Sequence, residues 1–297
     1  MSHHSHHADP YTVDWAEKAT ELVAAAQDEQ AWYESLAEWL LHAGDRVAVD
    51  VGCGGGGMTL ALAAALGDRG QVVAVDGEPA LLAAVRSAVA ARAGEPLAPV
   101  VTVPADLAEG VATIRAALPG PADLIWASAS VHHVGDQQAA VDALASLLGP
   151  GGRLALAEGG LPSRYLPWDL GVGEPGLEVR LEAANDQWFA RMRAELPGSV
   201  RMPYGWPEAL RRAGLVSVTT RTTLRESPAP LPEPERHRLA ERFTRWVGRL
   251  RGTGLLSDAD LAAWDRLLDP ADPAWLGRRT DVFRLSARSI HLGTKRG

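Results

Sequence analysis

Several things are scarce in this chain of 297 residues, and each scarcity excludes a chemistry. There is one cysteine, Cys53, so neither an internal disulfide framework nor a multi-thiolate zinc site can form. Lysine occurs only at Lys18 and Lys295, near the two ends, which argues against a Schiff-base lysine. Asn185 is the single asparagine, so a metal-dependent active site of the Asp/Asp/Asn kind is not expected, and no metal is. No apolar run reaches the roughly 20 residues that a bilayer demands. The first residues lack a basic-then-apolar pattern, and the expectation is a cytoplasmic protein without a membrane partner. Net positive charge is lacking too: the formal charge is -8, which repels phosphate backbones and argues against nucleic acid.

What is present is apolar residue (46%), glycine, and ten tryptophans. The His3, His4, His6, His7 cluster reads as part of a flexible tail, residues 1–11. Asp14 and Glu17 resemble a capping box, and helices are expected at Trp15–Ala26 and Glu29–Ala43. Residues 12–44 thus form an N-terminal helical cap. Strands and helices then alternate through residues 45–158. The expected strands are Arg46–Val51, Gln71–Val75, Val100–Val103, Asp123–Ala127 and Arg153–Glu158. Helices are expected at Met58–Leu66, Pro79–Ala93, Ala108–Ala117 and Asp136–Leu148, and a turn at Pro150-Gly151-Gly152. Continuous apolar strands divided by helices indicate an α/β fold with a parallel sheet covered on both faces.

The alternation breaks at residues 159–205, which read as a lid insertion with a helix near Glu182–Glu195. The core resumes over 206–227, with a helix at Trp206–Ala213 and a strand at Leu215–Leu224. A helical insertion occupies 228–279, with helices at Pro234–Leu250 and Asp258–Leu268. Residues 280–297 supply the last strand, Val282–Leu292. The apolar faces around Phe243, Trp246 and Leu250 suit a cap or a homodimer interface equally, so monomer and homodimer both stay open.

The chemistry concentrates in Asp50-Val51-Gly52-Cys53-Gly54-Gly55-Gly56-Gly57, placed after a strand and before a helix. Glycines there permit a tight turn and bring backbone N–H groups to a ligand at a helix N-terminus. Gly52, Gly54 and Gly57 also satisfy the dinucleotide spacing, so a nicotinamide oxidoreductase must be weighed. Asp50 decides against it, because a carboxylate there suits an ammonium group and repels a pyrophosphate. The next strand ends in Asp76-Gly77, where the acid can accept both hydroxyl protons of a ribose. The third ends in Asp106-Leu107, a carboxylate for an adenine amino group beside an apolar contact for its ring.

In this order the motifs resemble the class I methyltransferases that use S-adenosylmethionine (SAM). The resemblance is close over 46–158 and looser over 206–224 and 282–292. It implies a Rossmann-like sheet of order 3-2-1-4-5-7-6 and the product S-adenosylhomocysteine (SAH). Carried over by position, Gly52 and Gly54 line the methionine portion, Asp76 and Gly77 the ribose, and Asp106 and Leu107 the adenine.

The fourth strand ends in Ser128-Ala129-Ser130-Val131-His132-His133 at the reacting edge of such an enzyme, and Ser128 joins the cofactor set. His132, His133, Tyr33 and Glu158 are the candidate bases, with a Glu158–Arg164 salt bridge as the structural alternative for Glu158. Trp32, Tyr33, Tyr165, Trp168 and Trp188 are candidates for binding an aromatic acceptor. Two caps over one site suit a small molecule. The chain is also similar to actinobacterial enzymes that methylate the C3 carbon of an indole, which implies that reaction as the specific expectation. The alternatives are O- or N-methylation of another small metabolite, or a non-catalytic SAM-binding partner protein.

Overall fold

The structure, a computed structural model, describes residues 15–107 and 110–297, with side chains from residue 19 onward. The histidine-rich tail, Asp14 of the capping box, and Ala108 and Glu109 at the start of an expected helix lie outside the described residues.

The N-terminal pair of helices is α1 (Trp15–Asp28) and α2 (Gln30–Leu40). The second stops three residues before the expected end at Ala43, because Leu41 is already extended. The alternating part follows as β1 (Val47–Val51), α3 (Gly57–Leu66), β2 (Gln71–Asp76), α4 (Pro79–Ala91) and β3 (Val100–Pro104). It continues through α5 (Val111–Ala117), β4 (Ala122–Ser128), α6 (Gln137–Leu147) and β5 (Leu148–Arg164). After α7 (Leu177–Glu195) and α8 (Trp206–Arg212) come β6 (Val216–Ser227), α9 (Glu233–Leu250), α10 (Asp258–Leu268) and β7 (Arg284–Thr294).

The seven strands lie in the order β3-β2-β1-β4-β5-β7-β6. The first five pair in parallel. Against β5, β7 is antiparallel: Lys295 N–H reaches Gly152 O at one end and Phe283 N–H reaches Tyr165 O at the other. Pro150-Gly151-Gly152 is not a free turn before β5 but an outward bulge within it. Ala122 pairs with Leu148 and Leu124 with Arg153, so the residues between loop out, with Gly151 left-handed at φ +75°.

Strand periodicity of two builds both faces of the sheet. Val49, Val51, Val73, Val75, Ile125 and Leu156 meet Ile114, Val141, Leu144 and Leu210 on one side. Ala48, Leu124, Trp126 and Ala155 meet Leu36, Leu40, Met58 and Leu62 on the other. The strand ends that carry Asp76, Ser128 and Glu158 are therefore held from above and below.

The chain divides into two compact units. Among the described residues one comprises 15–107, 110–159, 197–221 and 289–297. Of the same residues the second comprises 160–196 and 222–288, so most of the expected lid and the helical insertion belong to one unit. This second unit has its own core, in which Phe243 stacks on Trp264 at 4.8 Å and Tyr165 meets Phe243 edge-on at 5.9 Å. Phe243 and Leu250 are buried there and Trp246 packs partly against them. Their apolar face is thus used inside the unit, in keeping with the first of the two readings left open, a cap. Among the described residues no helix is long and apolar enough to cross a membrane.

Candidate active site

The glycine run leaves β1 with Gly52, Gly54 and Gly56 all at positive φ, a path that residues with a Cβ rarely follow. Its remaining glycines answer to packing. A Cβ at Gly55 would come within 2.4 Å of Leu22 O on α1, and one at Gly57 within 2.5 Å of the Tyr33 ring on α2. The N-terminal helices thus rest directly on the turn. A Cβ at Gly52 would come within 2.6 Å of Ser130 Cβ, so the turn also touches the loop after β4. At Gly54 a Cβ would meet nothing within 4 Å, and the backbone there faces open space.

Two aspartates brace this turn. Asp76 Oδ2 accepts from Gly54 N–H at 2.9 Å and Oδ1 from Glu78 N–H at 2.9 Å. Each oxygen keeps a second lone pair for a ligand hydroxyl. Asp50 is only 2% exposed and accepts from Thr59 Oγ1–H at 2.6 Å. Burial pushes its carboxyl up to about 7, helped by the nearby Asp76 charge and opposed by the Thr59 bond. Asp50 thus supports the turn from within, tied to α3 through Thr59. Cys53 is buried beside Ala74 and Val85, and burial raises its thiol, so it is packing and not a nucleophile.

Gly77 and Asp106 are exposed at the ends of β2 and β3, and Leu107 packs partly against the core. Ser128 closes β4 half-buried. The strand ends thus offer an open backbone at Gly54, an anchored carboxylate at Asp76, and a second carboxylate at Asp106 beside Leu107.

Beyond Ser128 the chain turns sharply, with Ala129 at φ +48°. This bend aims the backbone N–H groups of Ser130 and Val131 at Glu158 Oε1, at 3.0 and 2.9 Å. The other oxygen, Oε2, lies 2.5 Å from His132 Nδ1. Glu158 is 1% exposed, whereas the His132 side chain is 27% exposed. His133 lies against His132 at a ring-centroid distance of 4.1 Å. The expected alternative partner of Glu158 is otherwise engaged, since Arg164 pairs with Glu182.

A carboxylate that meets two backbone donors accepts on every side, so the proton on Nδ1 of His132 belongs between the two groups. His132 Nε2 is then the accepting nitrogen. A ring oriented in this way can receive a proton from a bound molecule.

Of the expected aromatic residues, Trp32 and Tyr33 stay near the turn, with their rings 5.0 Å apart and Trp32 edge-on to Trp126 at 6.4 Å. Tyr165 and Trp188 are each 2% exposed in the core of the second unit, and Arg249 covers the Trp188 ring at 4.5 Å. Their rings are consumed by packing, which corrects their assignment to acceptor binding. Trp168, by contrast, is 67% exposed. Among the described residues no group of three or more His, Cys, Asp or Glu is placed to hold a metal ion. Sequence reasoning missed Thr59, Ser130, Thr220 and His291, which touch the site residues only through the fold.

Comparison with known proteins agrees with this geometry. The family model described as a methyltransferase domain matches residues 49–154. No curated protein matches the chain. Among solved structures, an O-methyltransferase family protein from Burkholderia thailandensis superposes with a TM-score of 0.50 at 15% identity. That match covers 95% of this chain and 60% of the other. Magnesium protoporphyrin IX methyltransferase from Synechocystis PCC 6803, with bound SAH, gives 0.44 at 17% identity, over 96% and 89% of the two chains. Precorrin-6y C5,15-methyltransferase from Geobacter metallireducens GS-15 gives 0.45 at 14% identity, over 91% and 89%. Residues 49–154 thus match a methyltransferase-domain model, within a seven-stranded sheet whose strand order is that of the Rossmann-like methyltransferase fold.

Proposed function

We propose that this chain methylates a small, aromatic acceptor that gives up a proton as it reacts, with His132 as the base and Glu158 as its orienting partner. The observation that carries this reading is the 2.5 Å contact between His132 Nδ1 and Glu158 Oε2, beside the glycine turn. A base is superfluous for an acceptor that is already a free nucleophile at working pH. A buried carboxylate spent on orienting an imidazole therefore argues for a hydroxyl or an N–H acid.

When bound, SAM supplies an electrophilic methyl carbon on a sulfonium. The chain's own part is to hold and orient. Gly52 and Gly54 admit the methionine portion, Asp76 and Gly77 the ribose, and Asp106 with Leu107 the adenine. His132 Nε2 receives the proton that the acceptor loses, and Glu158 holds the ring so that Nε2 faces it. An indole fits this scheme: C3 takes the methyl group while the N–H proton passes to His132. Trp32 and Tyr33 are aromatic faces beside the turn, and aromatic faces suit a flat acceptor. The acidic net charge, -8, favours a small molecule over a nucleic acid.

The test is turnover of a panel of indoles and phenols with SAM carrying a 13C-methyl group, for wild type and His132→Gln. The expected result is a product labelled at C3 of an indole, with turnover falling on the order of 100-fold or more in the variant. A label on oxygen or nitrogen would keep the base and replace the acceptor. SAH binding without turnover of any acceptor would indicate a SAM-binding partner protein. Stabilisation by NADH and not by SAH would return the chain to the oxidoreductases.

A further inference from the structure

Glu158 is fixed through its backbone as well as its side chain. His291, on β7, places Nε2 at 3.2 Å from Glu158 O and Nδ1 at 2.9 Å from Thr220 Oγ1 on β6. His291 is 9% exposed, and burial lowers its pKa, so the ring is kept neutral. A neutral imidazole has one donor and one acceptor. Glu158 O can only accept, so Nε2 carries the proton and Nδ1 accepts from the Thr220 hydroxyl. Both ring nitrogens are thereby used, in a single tautomer.

This clasp sits where β5 most needs one. Directly after Glu158 the chain passes through Gly159 at φ +73° and Gly160 at φ +119°, backbone that departs from an ordinary strand. A ladder interrupted by such residues does not by itself hold the preceding carbonyl in register. A side-chain donor from β7 meets that carbonyl. The hydrogen-bonded chain therefore runs Thr220–His291–Glu158–His132, across β6, β7, β5 and the loop after β4.

We infer that His291 and Thr220 are positioning residues, which set the Glu158 backbone and through it the ring of His132. The inference rests on the reading of His132 as the base. Among the groups that face the His132 ring are Glu158 and His133, and His291 meets Thr220 and the Glu158 carbonyl.

The test compares His291→Phe, His291→Gln and Thr220→Val with wild type, using the acceptor that turns over best. Three readouts are needed: kcat and KM, SAH affinity by calorimetry, and the low-field proton resonance of His132 Nδ1–H. His291→Phe is expected to lower kcat about 10- to 50-fold with KM and SAH affinity within about 2-fold, and to broaden or shift the His132 resonance. His291→Gln, whose amide can still donate to Glu158 O, is expected to recover at least half of that loss on the logarithmic scale. Thr220→Val should fall between.

Unchanged kcat in His291→Phe, or a loss that comes with reduced SAH affinity and an unmoved His132 resonance, would overturn the inference. If His132→Gln itself leaves kcat unchanged, the failure lies instead with His132 as the base.

Discussion

Glu158 Oε2 and His132 Nδ1 approach to 2.5 Å although they come from different strand ends, 26 positions apart in the chain. Glu158→Gln keeps the shape of the side chain but turns one of its acceptors into a donor. That donor must face either the Ser130 and Val131 amides or the His132 N–H, and each arrangement opposes two donors. The expected outcome is loss of kcat on the order of 100-fold with SAH affinity within about 2-fold, by steady-state kinetics and calorimetry. Equal losses in kcat and SAH binding would mean that Glu158 only holds the loop together.

Asp76 joins the second strand to the glycine turn through Gly54 N–H, and each of its oxygens keeps a lone pair beyond its backbone bond. Asp76→Ala should weaken SAH binding about 10- to 150-fold, as expected for the loss of hydrogen bonds worth roughly 1.5–3 kcal/mol. Titration calorimetry decides this directly. Affinity unchanged in the variant would place the ribose elsewhere and break the assignment of the strand ends.

The first five strands and the glycine turn were legible because their signals are local. Apolar runs between helices specify a covered parallel sheet, and glycines between a strand and a helix specify a tight turn. The strand order came only with the family resemblance that Asp50, Gly52, Asp76 and Asp106 carry together, and the sheet has that order. Two kinds of feature were not legible. One is continuation across a break: Gly159 and Gly160 read as the end of β5, yet the strand runs on to Arg164, and β6 likewise runs to Ser227. The other is the direction in which a side chain points. Asp50 turns inward to Thr59, and Tyr165 and Trp188 are core residues, because partners far along the chain decide burial. His291 carried no signal at all, since its two partners lie on strands 71 and 133 positions away.

The buried carboxyl of Asp50 makes stability depend on pH. Its ordinary value is 3.8 and burial raises it to about 7 in the folded protein, so the folded state binds the extra proton between those values. Stability from this group is therefore greatest at low pH and is lost as pH rises through that window. At about 1.4 kcal/mol per pH unit, the whole effect is on the order of 4 kcal/mol. Asp50→Asn removes the charge and keeps a partner for Thr59. Its melting temperature should exceed that of wild type at pH 8, and the gap should narrow at pH 5. Parallel melting curves across pH for the two proteins would show that Asp50 does not titrate in this range.

Glu178 clasps the second unit in a way that hydrogen exchange can isolate. It stands at the start of α7, and its two oxygens accept from Tyr165 N–H at 3.0 Å and Leu166 N–H at 3.2 Å. Downstream, Gly176 N–H reaches Trp168 O at 2.7 Å, so the exposed Trp168 sits on a loop tied at both ends. Burial raises the Glu178 carboxyl to about 7, against the pull of those amides and of Arg164. Neither amide has a place in a regular ladder, and the side chain is what satisfies them. Glu178→Ala should thus speed exchange at Tyr165 and Leu166 at least 10-fold, equivalent to about 1.4 kcal/mol each. Amides in the middle of α9, such as Val247, should change far less. A uniform acceleration across both places would make Glu178 a contributor to the unit's overall stability, whereas a confined one makes it the latch of the loop that presents Trp168.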